Sequence, residues 1–296
     1  MILNFIFLLS ISSVAFGKEY KIAVIPKSVA ADFWKKFELG VNKAEKDFKV
    51  KVVFRAPNFD ENVEAQLRII DNFLNKNYDL IAVAPGDYEK VYPLIEKAKR
   101  KKIKVVGFDS NLKGNIHETF IASDNFKAGK QAGEEALKFL NKDSKVFILS
   151  YNKGSGSTEA REKGFMEAIR EKTANIEMEY GGTSIGSCYR KSVEVLSKKE
   201  YDFIFTPNEN TTVGMIKALK KIKMKKIPIH IGFDFSRDIA ESIKSGITYG
   251  VVIQDPEKMG YMTVKYSLDI LQNKPVEKRV VIETKFINKE NINSVK

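Results

Sequence analysis

The chain holds one cysteine, two histidines and one tryptophan among 296 residues. A lone cysteine excludes a disulfide framework, and so few thiols and imidazoles leave no ligand set for a dedicated zinc site. No segment approaches about eighteen consecutive apolar residues, the length that reads as a membrane-spanning helix. Arginine is scarce as well: only eight of the 50 basic residues are Arg, so the formal charge of +12 is carried by Lys. Nucleic-acid readers lean on Arg for bidentate contacts to bases and phosphates. A Lys excess of this kind reads as a solvated surface, and no nucleic-acid partner is expected. The first strand–helix turn, Pro26–Asp32, has neither G-x-G-x-x-G nor a Walker lysine, and Gly154–Thr158 is glycine-rich without the Lys-Ser/Thr of a phosphate loop. No cofactor is expected.

What is present supports a folded core. At 43% hydrophobic and 30% charged, the chain can bury enough apolar surface to order itself. Its length suits one large domain or two ordinary ones. Met1–Gly17 carries no charged side chain, Ile2–Ile11 is mostly apolar, and Ala15-Phe16-Gly17 fits the small-x-small pattern of a signal peptide cut before Lys18. The expectation is an exported, periplasmic protein whose Cys188 is an unbridged thiol.

Short apolar runs rich in β-formers alternate with amphipathic segments. Ile22–Ile25 opens the series. Asp32 is placed to cap a helix whose Phe33, Phe37, Val41, Ala44 and Phe48 recur at helical spacing, while Trp34 falls off that stripe. Val50–Phe54 follows, then Asn58 with Glu61 as a capping box before Val63, Leu67, Ile70 and Leu74. Leu80–Ala84, a helix interrupted by Pro93, and Val105–Phe108 complete the first half. After Ile121–Asp124 the pattern restarts: helix Phe126–Leu140, Val146–Leu149, helix Glu159–Arg170, Ile176–Tyr180, Val193–Leu196, Phe203–Phe205, Val213–Ile222 and Ile229–Phe233. This order predicts parallel sheets with helices on both faces.

The halves echo each other. Val105-Val106-Gly107-Phe108-Asp109 returns as His230-Ile231-Gly232-Phe233-Asp234, and each run follows a strand ending in Pro, at 24 residues' distance in one half and 27 in the other. A duplicated open α/β domain is expected. Ligands bind outside the carboxyl ends of such strands, so facing domains would bring Asp109 and Asp234 into one cleft, as ligand-binding groups rather than supports of the fold. Two carboxylates there could serve acid–base hydrolysis or accept hydrogen bonds from ligand hydroxyls.

A series of motifs then carries a resemblance: Lys21–Lys27 followed by Asp32-Phe33-Trp34; Ala65-Gln66; Gly107-Phe108-Asp109; Ile121–Asn125 with Gly129; Ala160–Phe165; Thr206-Pro207-Asn208-Glu209; Ile231–Asp234; and Val251–Pro256. In order and spacing, over nearly all of the chain after Lys18, the sequence resembles the exported sugar-binding proteins of ABC importers, the ribose/galactose-type periplasmic family. The resemblance implies the type 1 fold: two doubly wound parallel-sheet domains joined by a three-crossover hinge. The crossovers would fall near Ala122–Asp124, Gln254–Pro256 and Glu283–Lys285. Residues 18–122 plus 256–284 would form one domain, and residues 123–255 plus 285–296 the other.

The resemblance also implies a site. Phe33 and Trp34 would meet the apolar face of a sugar, and Asp109, Arg161, Asn208, Asp234 and Gln254 its hydroxyls. Ser110 stands where ribose binders commonly carry Arg, and Ala31 where they often carry Asn. Pro26-Lys27-Ser28-Val29 before an aromatic–Trp pair looks more like inositol- or polyol-type relatives. Ile25-Pro26-Lys27 and Phe286–Ile292 are similar to the autoinducer-2 and rhamnose-type branch, which adds Lys27 to the candidates. The implied partners are a sugar or polyol and an ABC permease, with a monomeric receptor. A chemoreceptor or sensor kinase is the alternative partner, a secreted glycosidase using Asp109 and Asp234 the alternative chemistry. A sugar-responsive repressor is disfavoured, since a leader occupies the place of a DNA-binding helix-turn-helix.

Overall fold

The computed structural model describes residues 19–58, 62–114, 116–224 and 226–295; the leader expected over Met1–Gly17 lies outside them. In chain order the elements are β1 (Ile22–Ile25), α1 (Asp32–Phe48), β2 (Val52–Phe54), α2 (Val63–Leu74), β3 (Leu80–Val83), α3 (Tyr88–Arg100), β4 (Lys104–Phe108), β5 (Thr119–Ser123), α4 (Asn125–Ala136), β6 (Val146–Ser150), α5 (Gly156–Ile169), β7 (Ile176–Tyr180), α6 (Ile185–Leu196), β8 (Phe203–Phe205), α7 (Glu209–Lys221), β9 (Ile229–Phe233), α8 (Arg237–Ser245), β10 (Gly250–Ile253), α9 (Pro256–Leu271), β11 (Arg279–Ile282) and β12 (Lys285–Asn288). They form two six-stranded sheets, ordered β11-β5-β4-β3-β1-β2 and β12-β10-β9-β8-β6-β7. Among the described residues every pairing is parallel except β10 with β12. The two-domain α/β architecture is the one expected, and the chain passes between the sheets after β5, after β10 and between β11 and β12.

The unbroken apolar strands follow from burial on both faces. Successive side chains of a strand point to opposite sides. Ile22 and Val24 therefore pack beneath α1 and α9, while Ala23 and Ile25 pack beneath α2 and α3. In the second sheet Val146 and Ile148 face α4 and α5, and Phe147 and Leu149 face α6 and α7. Each fully buried Ile, Leu or Phe of this kind is worth roughly 1.5–3 kcal/mol.

Local details depart from expectation. Asp32 makes no cap bond; Ala31 occupies the N-cap of α1 and its methyl group offers no acceptor. Helix α2 is capped by Asn62, whose side chain accepts from the Ala65 amide, and not by Asn58; Glu61 lies outside the described residues. Pro93 does not interrupt α3, which runs on with Val91, Ile95 and Ala98 against the core. Val193–Leu196 is the last turn of α6.

Two helix pairs cross almost backbone to backbone. Gly40 of α1 faces Gly260 of α9, and Gly129 of α4 faces Gly164 of α5; a Cβ at Gly129 would overlap the Arg161 carbonyl, and one at Gly164 the Phe126 carbonyl. The second crossing fixes the helix that carries Arg161. Gly129→Ala is expected to destabilise the protein by roughly 1–3 kcal/mol through overpacking. Urea unfolding measures this, and an unchanged midpoint would mean that the helices do not meet there.

His230, the internal echo of Val105, is fully buried in β9, its ring nitrogens 3.0 Å from Thr206 Oγ1 and 3.0 Å from Thr248 Oγ1. Burial pushes its pKa from 6.5 down to about 3. The folded state keeps the ring neutral while the unfolded chain protonates below about 6.5. The contribution is thus intact above that pH and is lost as pH falls towards 3, at a limit of about 1.4 kcal/mol per pH unit. Glu162 and Glu209, both pushed up to about 7 by burial, act in the opposite sense over part of the window. The direct test is an NMR titration of the folded protein, in which the His230 ring signals should not move between pH 8 and 4.5.

Candidate functional site

The site grows out of strand ends. Asp109 follows β4 and Asp234 follows β9, and both adopt left-handed backbone, with φ of 56° and 69°. Asp tolerates this region better than most residues. In each case the backbone N–H donates to the neighbouring strand, Asp109 to the Ile121 carbonyl at 3.0 Å and Asp234 to the Val252 carbonyl at 2.9 Å. The sequence echo is therefore an echo of structure. Each carboxylate turns off the end of its sheet, and both are nearly fully buried, at 4% and 6% exposure.

In the second domain Arg161 of α5 is held on three sides. Its Nε donates to Asn125 Oδ1 at 2.9 Å, its Nη1 to the Pro207 carbonyl at 2.9 Å, and its guanidinium lies 3.9 Å above the Phe233 ring. Its Nη2 is buried without a hydrogen-bond partner. Burial lowers the guanidinium pKa, against the pull of Asp234 and Asp109; arginine nevertheless stays charged. Asp234 accepts from the Glu209 backbone N–H at 2.9 Å and from Gln254 Nε2 at 2.8 Å. Burial raises its pKa, with Arg161 opposing. Gln254 Oε1 is a buried acceptor with no partner. Asn208 caps α7, its side chain accepting from the Thr211 amide.

The first domain closes the other side. Lys27 Nζ stands 2.8 Å from Asp109 Oδ2 as an ion pair, without hydrogen-bond alignment at that oxygen, and donates to Ser157 Oγ of the second domain at 3.1 Å. Ser110 Oγ donates to the same Ser157 Oγ at 2.9 Å. Trp34 meets Phe33 edge to face at 4.8 Å, Phe37 at 5.9 Å and Phe108 at 6.3 Å between ring centroids. Although Trp34 falls off the apolar stripe of α1 in sequence, it does not stand clear of the core. Trp34 is only 4% exposed and belongs to the first domain's core cluster, because at the first turn of α1 the stripe and the cleft share one face.

Eight of the nine expected residues line one cavity between the domains: Lys27, Phe33, Trp34, Asp109, Arg161, Asn208, Asp234 and Gln254. Ser110 does not line it and sits behind, bonded to Ser157. The empty space is about 380 Å³, part of it open to solvent, and only about 40 Å³ of it admits the centre of a water-sized sphere, so the domains stand tightly closed, well short of the room of an ordinary ligand pocket. Tyr151, Ser157, Thr158, Glu209 and Asn210 also line it and were not expected. Ser157 and Thr158 lie in the glycine-rich loop read as an ordinary helix entry, and Glu209 in a motif from which only Asn208 was taken. Neither Asp109, paired with a cation, nor Asp234, with both oxygens hydrogen-bonded, is poised as a proton donor or acceptor. The arrangement suits recognition.

Comparison with known proteins agrees. The family model described as a periplasmic binding protein domain matches residues 22–275. The chain belongs to the periplasmic binding protein family. It is 28% identical over 283 residues to the ribose import binding protein of Haemophilus influenzae, covering 95% of each chain. It is 25% identical over 276 residues to the D-allose-binding periplasmic protein of Escherichia coli, covering 88% of this chain and 87% of that one. An ABC transporter solute binding protein from Agrobacterium vitis with bound D-fucose superposes with a TM-score of 0.88 at 28% identity, over 93% of this chain and 97% of the other. The matched family and these relatives are binding proteins rather than enzymes, which sets the glycosidase reading aside.

The Lys27–Asp109 pair yields a test that needs no ligand. Contrary to the expectation that Asp109 only binds, its removal strands a buried ammonium and also places a residue with no polar side chain in left-handed backbone. Asp109→Ala is expected to cost about 3–5 kcal/mol, a large part of it recovered by adding Lys27→Met. Urea unfolding of both single variants and the double variant measures the coupling, and strict additivity would show that the pair does not interact.

Proposed function

We propose that this protein captures a neutral sugar or polyol in the cleft between its domains and delivers it to the permease of an ABC importer. The observation that carries the reading is the pairing of orphaned groups at the cavity: Arg161 Nη2 is a buried donor and Gln254 Oε1 a buried acceptor, each without a partner. A hydroxyl is both donor and acceptor, so a polyol satisfies both kinds of group at once. Trp34 and Phe33 supply an apolar surface for the C–H face of a sugar ring. The charged side chains lining the cavity are three carboxylates, Asp109, Asp234 and Glu209, and two cations, Lys27 and Arg161. No cation is left over for a phosphate or a sugar acid. The ribose- and allose-binding relatives support the class.

On this reading all eight cavity-lining candidates contact the ligand or hold a residue that does, and Ser110 acts through Ser157. The domains span residues 18–122 plus 256–284 and 123–255 plus 285–296, a division supported by the sheet membership of the strands except at Ser123, which ends β5 in the first sheet. Rotation at the three crossings opens and closes the cleft around a monomeric receptor, and the leader before Lys18 directs export to the periplasm.

The test is a thermal-shift and fluorescence screen with D-ribose, D-allose, D-xylose, D-fucose and myo-inositol, with D-glucuronate and D-ribose 5-phosphate as charged counterparts. A neutral member at 100 times its Kd should add about 2.7 kcal/mol to stability, shift Trp34 emission and reduce the radius of gyration. Stabilisation by the charged compounds alone, or emission unchanged at saturation, would overturn the assignment. Trp34→Phe is the variant of choice, because Trp34→Ala would also remove core volume at roughly 3–5 kcal/mol.

A further inference from the structure

Helix α1 has no cap of its own. Ala31 cannot supply one, and the Asp32 carboxylate is turned to Lys35 Nζ at 2.9 Å. The first amides of the helix are satisfied from the opposite domain: Asp32 N–H donates to Glu209 Oε1 at 3.1 Å and Phe33 N–H to Glu209 Oε2 at 3.0 Å. Glu209 is the first residue of α7, and its own backbone N–H donates to Asp234 Oδ2. One residue thus ties the entry of α1 to the carboxylate at the end of β9. A turn along α1, Lys36 Nζ reaches the Phe235 carbonyl at 3.4 Å and lies 5.4 Å from the centroid of its ring.

Glu209 also stands between two spaces. The inner cavity meets an outer groove of about 970 Å³, partly open to solvent, and Ala31, Glu209 and Asn210 line both. If the domains part, the Asp32 and Phe33 amides return to water, the carboxylate withdraws, and inner cavity and groove become one.

We propose that Glu209 is the closure latch of the site, a positioning residue that caps α1 only when the domains meet and so seals the inner cavity from the outer groove. This rests on the cleft being the ligand site. Both carboxylate oxygens are engaged by backbone amides, so the contribution goes to domain closure. A latch of this kind slows escape and leaves capture alone. A group that merely held α7 together would instead weaken the protein with or without ligand.

The test uses the full chain with D-ribose, D-allose and D-xylose as probes, read by stopped-flow Trp34 fluorescence. Glu209→Ala should raise koff about ten-fold, a 1.4 kcal/mol effect, with kon changed less than three-fold and the stability of the sugar-free protein lowered by much less than the affinity. Glu209→Gln, which keeps the volume and one acceptor oxygen, should fall between. In an Ala31→Ser background, where the helix gains a cap in cis, Glu209→Ala should add little further effect. An unchanged koff, or a drop in sugar-free stability as large as the loss of affinity, overturns the latch. If no sugar binds the parent protein, the ligand reading fails separately. Amide exchange then decides the latch: loss of protection at Asp32 and Phe33 in Glu209→Ala supports it, and unchanged protection overturns it.

Discussion

A strand buried on both faces can offer polar groups only at its ends. That constraint organises this protein. Ile22–Ile25, Leu80–Val83, Val146–Ser150 and Phe203–Phe205 are buried along their whole length, so nothing along them can meet a polar ligand. Chemistry gathers where the chain leaves the sheets: Lys27 after β1, Asp109 after β4, Asp234 after β9, Gln254 after β10. Parallel pairing puts these exits on the same edge of each sheet, and the two edges face each other. Left-handed backbone at Asp109 and Asp234 turns each carboxylate off its strand. The site follows from how the sheets must end.

Electrostatics completes what topology begins. A buried charge is tolerated only when paired or hydrogen-bonded, and the cleft obeys this for Lys27 with Asp109, for Asp234 with Gln254 and the Glu209 amide, and for Arg161 with Asn125 and Pro207. The Arg161 Nη2 and Gln254 Oε1 atoms left over stand at the cavity, where a hydroxylated molecule can complete them.

Much of the fold was legible in the sequence. Strands Ile22–Ile25, Phe203–Phe205 and Ile229–Phe233 occur at the limits their composition suggested, because double burial demands an unbroken apolar run; Ile176–Tyr180, an exposed edge strand, also has the expected limits but not for that reason. The repeated Gly-Phe-Asp ends marked both carboxylates. What could not be read depends on partners far away in the chain. Ser157 answers Lys27 across 130 residues, and Glu209 caps α1 across 177. Local rules looked for the cap of α1 at Asp32 and found the right need in the wrong place. Periodicity likewise judged Trp34 by its own helix and missed Phe108, which packs against it from β4.

The route of the chain bears on how it is made. Helix α1 appears early, yet its Gly40 waits for Gly260 of α9, and the edge strand β11 comes later still. The second domain, by contrast, has every strand but its antiparallel edge once residue 253 is in place. The domain begun first is therefore finished after most of the second. Ordinary multidomain chains fold from the N-terminus as they are synthesised. Here the early half stays incomplete until nearly the whole polypeptide has emerged, and a nascent chain halted between the domains would hold no finished unit at all.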